Sequence, residues 1–258
     1  MSFVQTMQRQ MTAPARVFNR ALAIYREKGP LETLTSAGNY LGRRVGLTFG
    51  QHGKYLQAKA QADKHFDTRL KTDTGGVQNL FGLTITGSNA LHGGHHVAVD
   101  PAEFSEGIDA LGIDPSTFTF IDLGSGKGRA LLLAAERGFS RVIGVEFALE
   151  LHQVATTNVA AFDTANPNLA GRIQLFHADA TTFAMPPTPL VIFLFNPFDA
   201  VICREVAKNI MQSWKASPRP IHIFYMNPVQ LDAWLGSGFR MTKRAQPYAL
   251  LEPASEKL

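Results

Sequence analysis

A run of alternating glycines is the feature of this chain best suited to hold a ligand. Gly124, Gly126 and Gly128 follow an apolar stretch and precede a second apolar stretch rich in Ala and Leu. Glycines allow a sharp turn between a strand and a helix, and they let a ligand approach the backbone closely. Because amides at a helix N-terminus attract polar and anionic groups, such a turn suits a nucleotide-like ligand. The pattern predicts a binding loop over residues 124–128.

The spacing of this loop differs from that of a dinucleotide-binding loop. The dinucleotide pattern G-x-G-x-x-G would place its third glycine where this chain has Arg129, whereas the third glycine here comes one residue earlier. An acid, Asp122, also stands two residues before Gly124. The loop and its acid resemble the cofactor loop of class I S-adenosylmethionine (SAM) methyltransferases. This resemblance implies SAM as the cofactor and methyl transfer as the reaction.

Two acids downstream extend the resemblance. Glu146 ends a β-rich run at 141–146 and lies 18 residues after Gly128, close to the spacing of roughly 20 residues at which an acid binds ribose hydroxyls. Asp179 follows another β-rich run, and in the methyltransferases the matching acid bonds to the adenine amino group. The residues that the resemblance implies for cofactor binding are Asp122, Gly124, Ser125, Gly126, Gly128, Glu146, Phe147, Asp179 and Ala180.

A further motif, Asn196-Pro197-Phe198, follows the continuous apolar run at 190–195, which is typical of a buried parallel strand. It resembles the motif of amino-group methyltransferases in which an Asn oxygen and a Pro carbonyl accept hydrogen bonds from the target NH2. This chain has one proline where that motif has two, and Asp199 follows the aromatic residue. The resemblance implies that Asn196, Pro197 and Phe198 form the catalytic site, and it favours an amine nitrogen on a protein or small molecule as the acceptor.

The elements that must position these residues alternate between strand and helix. Such alternation predicts an α/β fold with a doubly wound, mostly parallel sheet. Asp100 and Pro101 predict the capped start of a helix over 101–112. The β-rich runs at 238–244 and 248–251 predict a final antiparallel pair. The resemblance implies a seven-stranded, Rossmann-like methyltransferase sheet with a helical N-terminal extension.

Charge divides the chain into two parts. Residues 1–75 contain twelve Lys or Arg against five Asp or Glu, whereas residues 76–258 contain thirteen against sixteen. We expect a basic helical N-terminal extension over 1–75 and a SAM-binding methyltransferase domain over 76–258. The basic part is either a solvated helical cap or a contact for an anionic partner such as RNA, anionic lipid or an acidic protein.

Composition and histidine spacing argue against a membrane-spanning, secreted or metal-binding protein. The sequence contains no apolar run of roughly 20 residues and no secretory h-region. A single cysteine, Cys203, forms no internal disulfide, so we expect a cytoplasmic protein. The acid-poor start fits an amphipathic helix and a transit peptide equally. His92, His95 and His96 would need further ligands to bind zinc, so we expect no metal and a loop that folds over the pocket.

The resemblance covers roughly residues 110–250. With Asp73-Thr74-Gly75-Gly76 it extends to a group of bacterial class I methyltransferases of undefined substrate, so the methyl acceptor stays open. One alternative is an NAD(P)-dependent oxidoreductase or epimerase, which Arg129 and the lack of a recognisable Tyr-x-x-x-Lys pair disfavour. Another is a non-catalytic module that binds nucleic acid through the basic part. Lys127 and Arg129 are expected at the surface or against an anionic substrate.

Overall fold

The computed structural model describes residues 21–22, 25–26, 29–30, 50–78, 83 and 96–254. Most of the basic extension, His92 and His95, and most of the β-rich stretch at 80–86 lie outside these residues. Within the part of the chain that the structure describes, no helix is long and apolar enough to cross a bilayer.

Seven strands form one mixed sheet in the order β5-β4-β3-β6-β7-β9-β8. The first five strands of that order are parallel, and β9 and β8 run antiparallel at the end. This confirms the predicted doubly wound sheet and its final hairpin. The strands of this sheet are β3 (Thr119–Leu123), β4 (Arg141–Glu146), β5 (Ile173–His177), β6 (Leu190–Phe195), β7 (Ile221–Met226), β8 (Phe239–Arg244) and β9 (Tyr248–Pro253). A separate pair consists of β1 (Val77–Gln78) and β2 (His96–Val97).

Helices cover both faces of the sheet. They are α1 (Gly50–Leu70), α2 (Pro101–Asp109), α3 (Arg129–Glu136), α4 (Leu149–Ala165), α5 (Ala200–Ala216) and α6 (Leu231–Leu235). Buried side chains of α1 to α4 share one apolar cluster with one face of the strands, and those of α5 and α6 share a second cluster with the other face. The sheet is therefore the middle of three layers, as its nearly continuous apolar strands require.

Local sequence signals account for where the helices begin. The Asp100 carboxylate accepts hydrogen bonds from the N–H groups of Ala102 and Glu103, and Pro101 takes the first helical position of α2, as predicted. At α5, Asp199 accepts from Val201 N–H at 3.0 Å and Ile202 N–H at 3.3 Å. The acid that follows the Asn-Pro-Phe motif is thus a helix cap.

An aromatic cluster anchors α2 on the sheet. The Phe104 ring packs on Phe120, Phe193 and Phe224, with centroid separations of 5.5–5.9 Å. Gly107, one turn further along α2, lies directly over the Phe224 ring, where a Cβ atom would overlap it. With these elements packed, the carboxyl ends of β3, β4, β5 and β6 meet at one edge of the sheet, where open α/β sheets bind ligands.

Candidate functional site

A cavity opens at the carboxyl edge of the sheet. The empty space in it, counted together with the open solvent at its mouth, is about 290 Å³. The residues that line it come from four successive strand ends, and they are Gly124, Val145, Phe147, Ala178, Asp179, Ala180, Phe198 and Ile202. The sequence predicted five of these as site residues: Gly124, Phe147, Asp179, Ala180 and Phe198.

The glycine loop connects β3 to α3 with all three glycines in the left-handed region. Their φ angles are +85° at Gly124, +54° at Gly126 and +91° at Gly128. The N–H groups of Gly124 and Ser125 donate to the Val145 carbonyl at 2.9 and 3.1 Å. Side chains other than glycine rarely adopt such φ values, so the alternating glycines are what this turn demands.

Glu146 braces the glycine loop from β4. One carboxylate oxygen accepts from Gly126 N–H at 2.7 Å, and the other accepts from Ala148 N–H at 2.8 Å. The side chain is almost completely buried, with 3% of its surface exposed. Because each carboxylate oxygen has two lone pairs, these bonds leave acceptor capacity for a ribose hydroxyl. The sequence did not predict this contact between Glu146 and the loop.

Asp122 and Glu146 form a pair of buried carboxyl groups on neighbouring strands. Burial raises the pKa of Glu146 to about 7. Burial raises the pKa of Asp122 well above its usual range, and the negative charge of Glu146 raises it further. Burial therefore favours the neutral form of both carboxyl groups, and the charge of Glu146 adds to this effect at Asp122. The structure places Asp122 within β3, among residues that are all buried.

Asp179 lies where β5 ends and lines the cavity. One of its carboxylate oxygens accepts from Thr181 N–H at 2.9 Å and from the Thr181 hydroxyl at 2.7 Å. These bonds form a local turn in which the acid organises its own backbone. The turn carries the following residue, Ala180, into the cavity wall and into the apolar cluster beneath it.

The Asn196-Pro197-Phe198 turn contacts the glycine loop directly. A Cβ atom added at Gly124 would lie 2.6 Å from the Pro197 Cβ atom, which is closer than side chains pack. Phe198 lines the cavity with only 8% of its surface exposed. The structure thus brings together the two sets of residues that the sequence assigned to the cofactor and to catalysis.

Asn196 is fixed by a tyrosine of the neighbouring strand. It has a φ of +45°, and its side-chain oxygen accepts a hydrogen bond from the Tyr225 hydroxyl at 3.2 Å. The N–H of Gln230 donates to the same hydroxyl at 3.2 Å, so the tyrosine hydrogen is left to point at Asn196. The sequence did not indicate this bond.

The side chains of Lys127 and Arg129 form hydrogen bonds and ion pairs with other residues of the chain. Lys127 Nζ binds the Asp73 carboxylate at 2.9 Å and the Gly75 carbonyl at 3.1 Å. Arg129 is 3% exposed and pairs with Asp63. The expected surface position is therefore wrong for Arg129. No group of three or more His, Cys, Asp or Glu placed to hold a metal occurs within the described residues, which exclude His92 and His95.

Part of the sequence that forms this site also matches a known protein family. Residues 121–219 match the family model described as a methyltransferase domain. No curated protein sequence matches the chain. The matched segment runs from β3 to the end of α5 and includes the glycine loop, both downstream acids and the Asn-Pro-Phe turn.

Several solved structures have a similar backbone at low identity. A predicted N6-adenine-specific DNA methylase from Listeria monocytogenes is 14% identical, with a TM-score of 0.47 over 66% of this chain and 53% of its own. A SAM-dependent O-methyltransferase from Thermotoga maritima is 15% identical, with a TM-score of 0.46 over 62% and 68%. A putative RNA methyltransferase from Pyrococcus horikoshii is 16% identical, with a TM-score of 0.43 over 60% and 84%. The chain spans about half the length of the Listeria protein.

Proposed function

We propose that the chain is a class I SAM-dependent methyltransferase, which the match of residues 121–219 to a methyltransferase domain supports, and that it transfers the methyl group of SAM to an amine nitrogen on a protein or small molecule. The observation that carries the proposal is the contact between Gly124 and Pro197 at the mouth of the cavity. It sets a loop suited to the cofactor against a turn suited to an amino group.

For the cofactor, the residues present fit an adenosyl ligand. The glycine loop exposes backbone where a side chain would block approach. Phe147, Asp179 and Ala180 line the cavity beside it and would hold the adenine, and Glu146 would accept hydrogen bonds from the ribose hydroxyls. Asp122 supports the loop from within β3, as a buried neighbour of Glu146.

For the acceptor, Asn196 supplies a hydrogen-bond acceptor whose direction is set. Its oxygen has one lone pair taken by the Tyr225 hydroxyl and a second lone pair that would accept from a target N–H. Phe198 provides an apolar wall of the cavity next to it. A bound SAM would supply a methyl group activated by its positive sulfur: the acceptor nitrogen would form the new N–C bond as the S–C bond breaks, S-adenosylhomocysteine would be released, and the proton lost from the nitrogen would pass to solvent.

The chain's main contribution is alignment, since a sulfonium methyl group needs no further activation. Holding two reactants in near-attack geometry lowers a barrier by roughly 7–11 kcal/mol. The site has the parts for this, because Gly124, Pro197 and Phe198 form one packed wall between the cofactor loop and α5. The buried environment of Phe198 and Ile202 also excludes water from that wall.

Isothermal titration tests the cofactor. We expect micromolar binding of SAM and S-adenosylhomocysteine and no binding of NADH. Binding of NADH without SAM would replace the proposal with the oxidoreductase alternative. A steep salt-dependent affinity for RNA, without methyl transfer to any extract fraction, would favour the nucleic-acid-binding alternative.

Tritiated SAM incubated with fractionated cell extract tests the acceptor. An amine acceptor is supported if the label is recovered with protein or with amine-containing small molecules. The label should also resist mild base, which cleaves methyl esters. Label on RNA or DNA overturns this acceptor class while leaving the cofactor assignment intact. Glu205→Gln, on the exposed face of α5, serves as a control variant with unchanged labelling.

The basic extension over 1–75 and its anionic partner are part of the proposal. The contrast in charge between the two parts of the chain supports such a partner. To identify this partner, binding to RNA and to anionic vesicles is measured at several salt concentrations before and after Arg16, Arg20 and Arg26 are neutralised. The salt dependence should change only for the true partner. The cytoplasmic location and the division after residue 75 are likewise predictions, which fractionation of cells and limited proteolysis would check.

A further inference from the structure

A second network of polar residues lies behind the glycine loop, away from the cavity. It joins the loop to residues 59–76, here called the clamp, which comprise the last part of α1 and the Thr72–Gly76 turn. Two cationic side chains on either side of Gly128, Lys127 and Arg129, both point into the clamp. The cofactor loop is therefore held from a segment more than fifty residues earlier in the chain.

Arg129 is the centre of this network. Its guanidinium group pairs with Asp63, lies 3.6 Å from Asp67, and donates through Nε to the Thr74 hydroxyl at 2.8 Å. The same group lies over the Phe66 ring, 4.6 Å from its centroid. Apart from the Val99 carbonyl, which accepts from Nη1 at 3.5 Å, these partners come from the clamp, which therefore largely sets the position of Arg129.

The location of Arg129 makes these partners necessary. It is the first residue of α3, where the positive end of the helix dipole disfavours a cation. It is also buried, so the charge needs paired acids. Removing one partner of a buried ion pair leaves an uncompensated charge and is costly. Asp63 and Asp67 thus tie docking of the clamp to the start of α3.

Asp67 shapes the turn that meets the loop. Its carboxylate accepts from the Thr72 hydroxyl, from the N–H and hydroxyl of Thr74, and from Gly75 N–H, all within 2.6–2.9 Å. A turn held by four such bonds is a rigid surface. Gly75 packs against the Asp63 side chain so closely that a Cβ atom would lie 2.7 Å from it.

A second connection holds the backbone of the loop itself. Asn158 of α4 donates through its amide to the carbonyl oxygens of Lys127 and Asp73, both at 2.9 Å. Its side-chain oxygen accepts from Asp73 N–H at 2.8 Å. The loop, the clamp and α4 therefore meet at one buried amide.

We propose that Arg129 is a positioning residue that sets the conformation of the glycine loop through the clamp, and thereby sets the affinity for SAM. The inference rests on the proposed function of the loop. Glu146 braces the loop from one side, and Arg129 with Lys127 braces it from the other. Loosening the clamp frees the backbone over residues 124–128, and SAM then has to order that backbone when it binds.

The structure provides a matched control for this inference. Arg69, the penultimate residue of α1, makes a two-pronged ion pair with Glu136 at 2.7 and 3.0 Å. That pair also joins α1 to α3, but it meets the last residue of α3 rather than the first. Arg69 is part of the clamp and lies over the Phe66 ring, 5.2 Å from its centroid, but replacing it with lysine leaves every hydrogen bond between the clamp and the loop in place.

The experiment compares Arg129→Lys with Arg69→Lys. Lysine keeps the charge but cannot reproduce the forked geometry of arginine. Two quantities are measured: the affinity for S-adenosylhomocysteine by titration calorimetry, and amide hydrogen exchange over residues 124–128 without ligand. We expect Arg129→Lys to weaken binding about tenfold and to speed exchange in the loop. We expect Arg69→Lys to change both by less than about twofold.

Two results would overturn the inference: unchanged affinity in Arg129→Lys, or an equal loss of affinity in both variants. If Arg129→Lys does not fold, Thr74→Val replaces it, because it removes the acceptor of the Arg129 Nε bond with little change in volume. If Arg129→Lys speeds amide exchange in the loop but the protein binds no SAM, the proposed function and the effect on affinity are both wrong. The inference that Arg129 positions the loop would still stand.

Discussion

The carboxyl edge of the sheet is built differently on its two sides. On the side of β3 and β4, hydrogen bonds from the chain itself fix the backbone, since Glu146, Asn158 and Arg129 all hold the glycine loop or its flanks. On the side of β6 and β7, two residues at equivalent positions, Asn196 and Asn227, have left-handed φ angles of +45° and +47°. Each stands before a proline, directly after the paired strand residues Phe195 and Met226.

The two sides differ in which residue types adopt the left-handed backbone conformation. On the loop side, glycines take the left-handed positions at little steric cost. On the other side, asparagines take them, at a cost that persists only where surrounding structure enforces it. Exposed Val201 and Val229 flank these asparagine turns. We infer that the first side presents a fixed backbone surface, whereas the second presents side chains. Cofactor affinity should follow changes to the loop backbone or to the side chains that hold it, and turnover should follow changes to the side chains of the Asn196–Phe198 turn.

The largest expected effect is that of Gly124→Ala. A Cβ atom there would lie 2.6 Å from Pro197 Cβ at a φ of +85°. The left-handed conformation costs about 1–2 kcal/mol, and forced packing costs about 1–3 kcal/mol. We expect a loss of roughly 2–5 kcal/mol in the free energy of unfolding, measured by urea denaturation, together with loss of SAM binding.

Gly138→Ala isolates the conformational part of that loss. Gly138 has a φ of +96°, and no atom of the described residues lies within 4 Å of an added Cβ. It should cost about 1–2 kcal/mol and leave SAM affinity unchanged. Equal destabilisation by the two substitutions would show that the contact between Gly124 and Pro197 does not constrain the site.

The pH dependence of stability tests the loop side next. The pKa of Glu146 is 4.5 in its ordinary state and about 7 in the fold. The neutral form is therefore favoured by folding, so its stabilisation is complete below pH 4.5 and is lost as the pH rises through 7. For Glu146 alone this amounts to about 3 kcal/mol, and the raised pKa of Asp122 acts in the same direction.

Urea denaturation between pH 4.5 and 8 measures this loss. We expect the unfolding free energy of the ligand-free protein to fall over that range and to fall less in Glu146→Gln, which does not ionise. Glu205→Gln, which removes an exposed acid, should keep the slope of the unchanged protein. Identical slopes in all three proteins would mean that Glu146 titrates in its usual range.

Signals confined to short stretches of sequence predicted much of the site. The glycine turn, the acids at strand ends and the cap at Asp100 each depend on residues a few positions apart. The alternation of strands and helices predicted the doubly wound, mostly parallel sheet. The fold and five of the eight cavity residues were therefore predictable before the structure.

Contacts between distant segments were not predictable. Tyr225 meets Asn196 because β7 pairs with β6 in the register that sets Tyr225 beside Leu194, and sequence patterns do not give register between strands thirty residues apart. Arg129 was expected at the surface or against an anionic substrate. The acids that bury it, Asp63 and Asp67, lie in α1, where their spacing indicates only one polar helix face.

Glu146→Gln should weaken SAM binding on the loop side. The substitution keeps the shape but sets an amide NH2 against the N–H of either Gly126 or Ala148, and two donors cannot bond to each other. Loss of a charge-assisted hydrogen bond costs about 2 kcal/mol, equivalent to about a 30-fold weaker affinity. Titration calorimetry with SAM at pH 8 measures it. Unchanged affinity would remove Glu146 from both its bracing and its ribose-binding roles.

Asn196→Ala and Asn227→Ala compare the two asparagine turns directly. Both substitutions place alanine at a similar left-handed φ before a proline, so their conformational costs match. Only Asn196 bonds to Tyr225 and adjoins the residues that line the cavity. We expect Asn196→Ala to lower label transfer from tritiated SAM about tenfold, as loss of one hydrogen bond predicts, with SAM affinity within about twofold. Asn227→Ala should retain most of the transfer.

Two outcomes would contradict this comparison. If both variants lose turnover equally, the strained backbone rather than the Asn196 amide shapes the acceptor side. If Asn196→Ala loses cofactor affinity as well, the two sides of the edge are not separable.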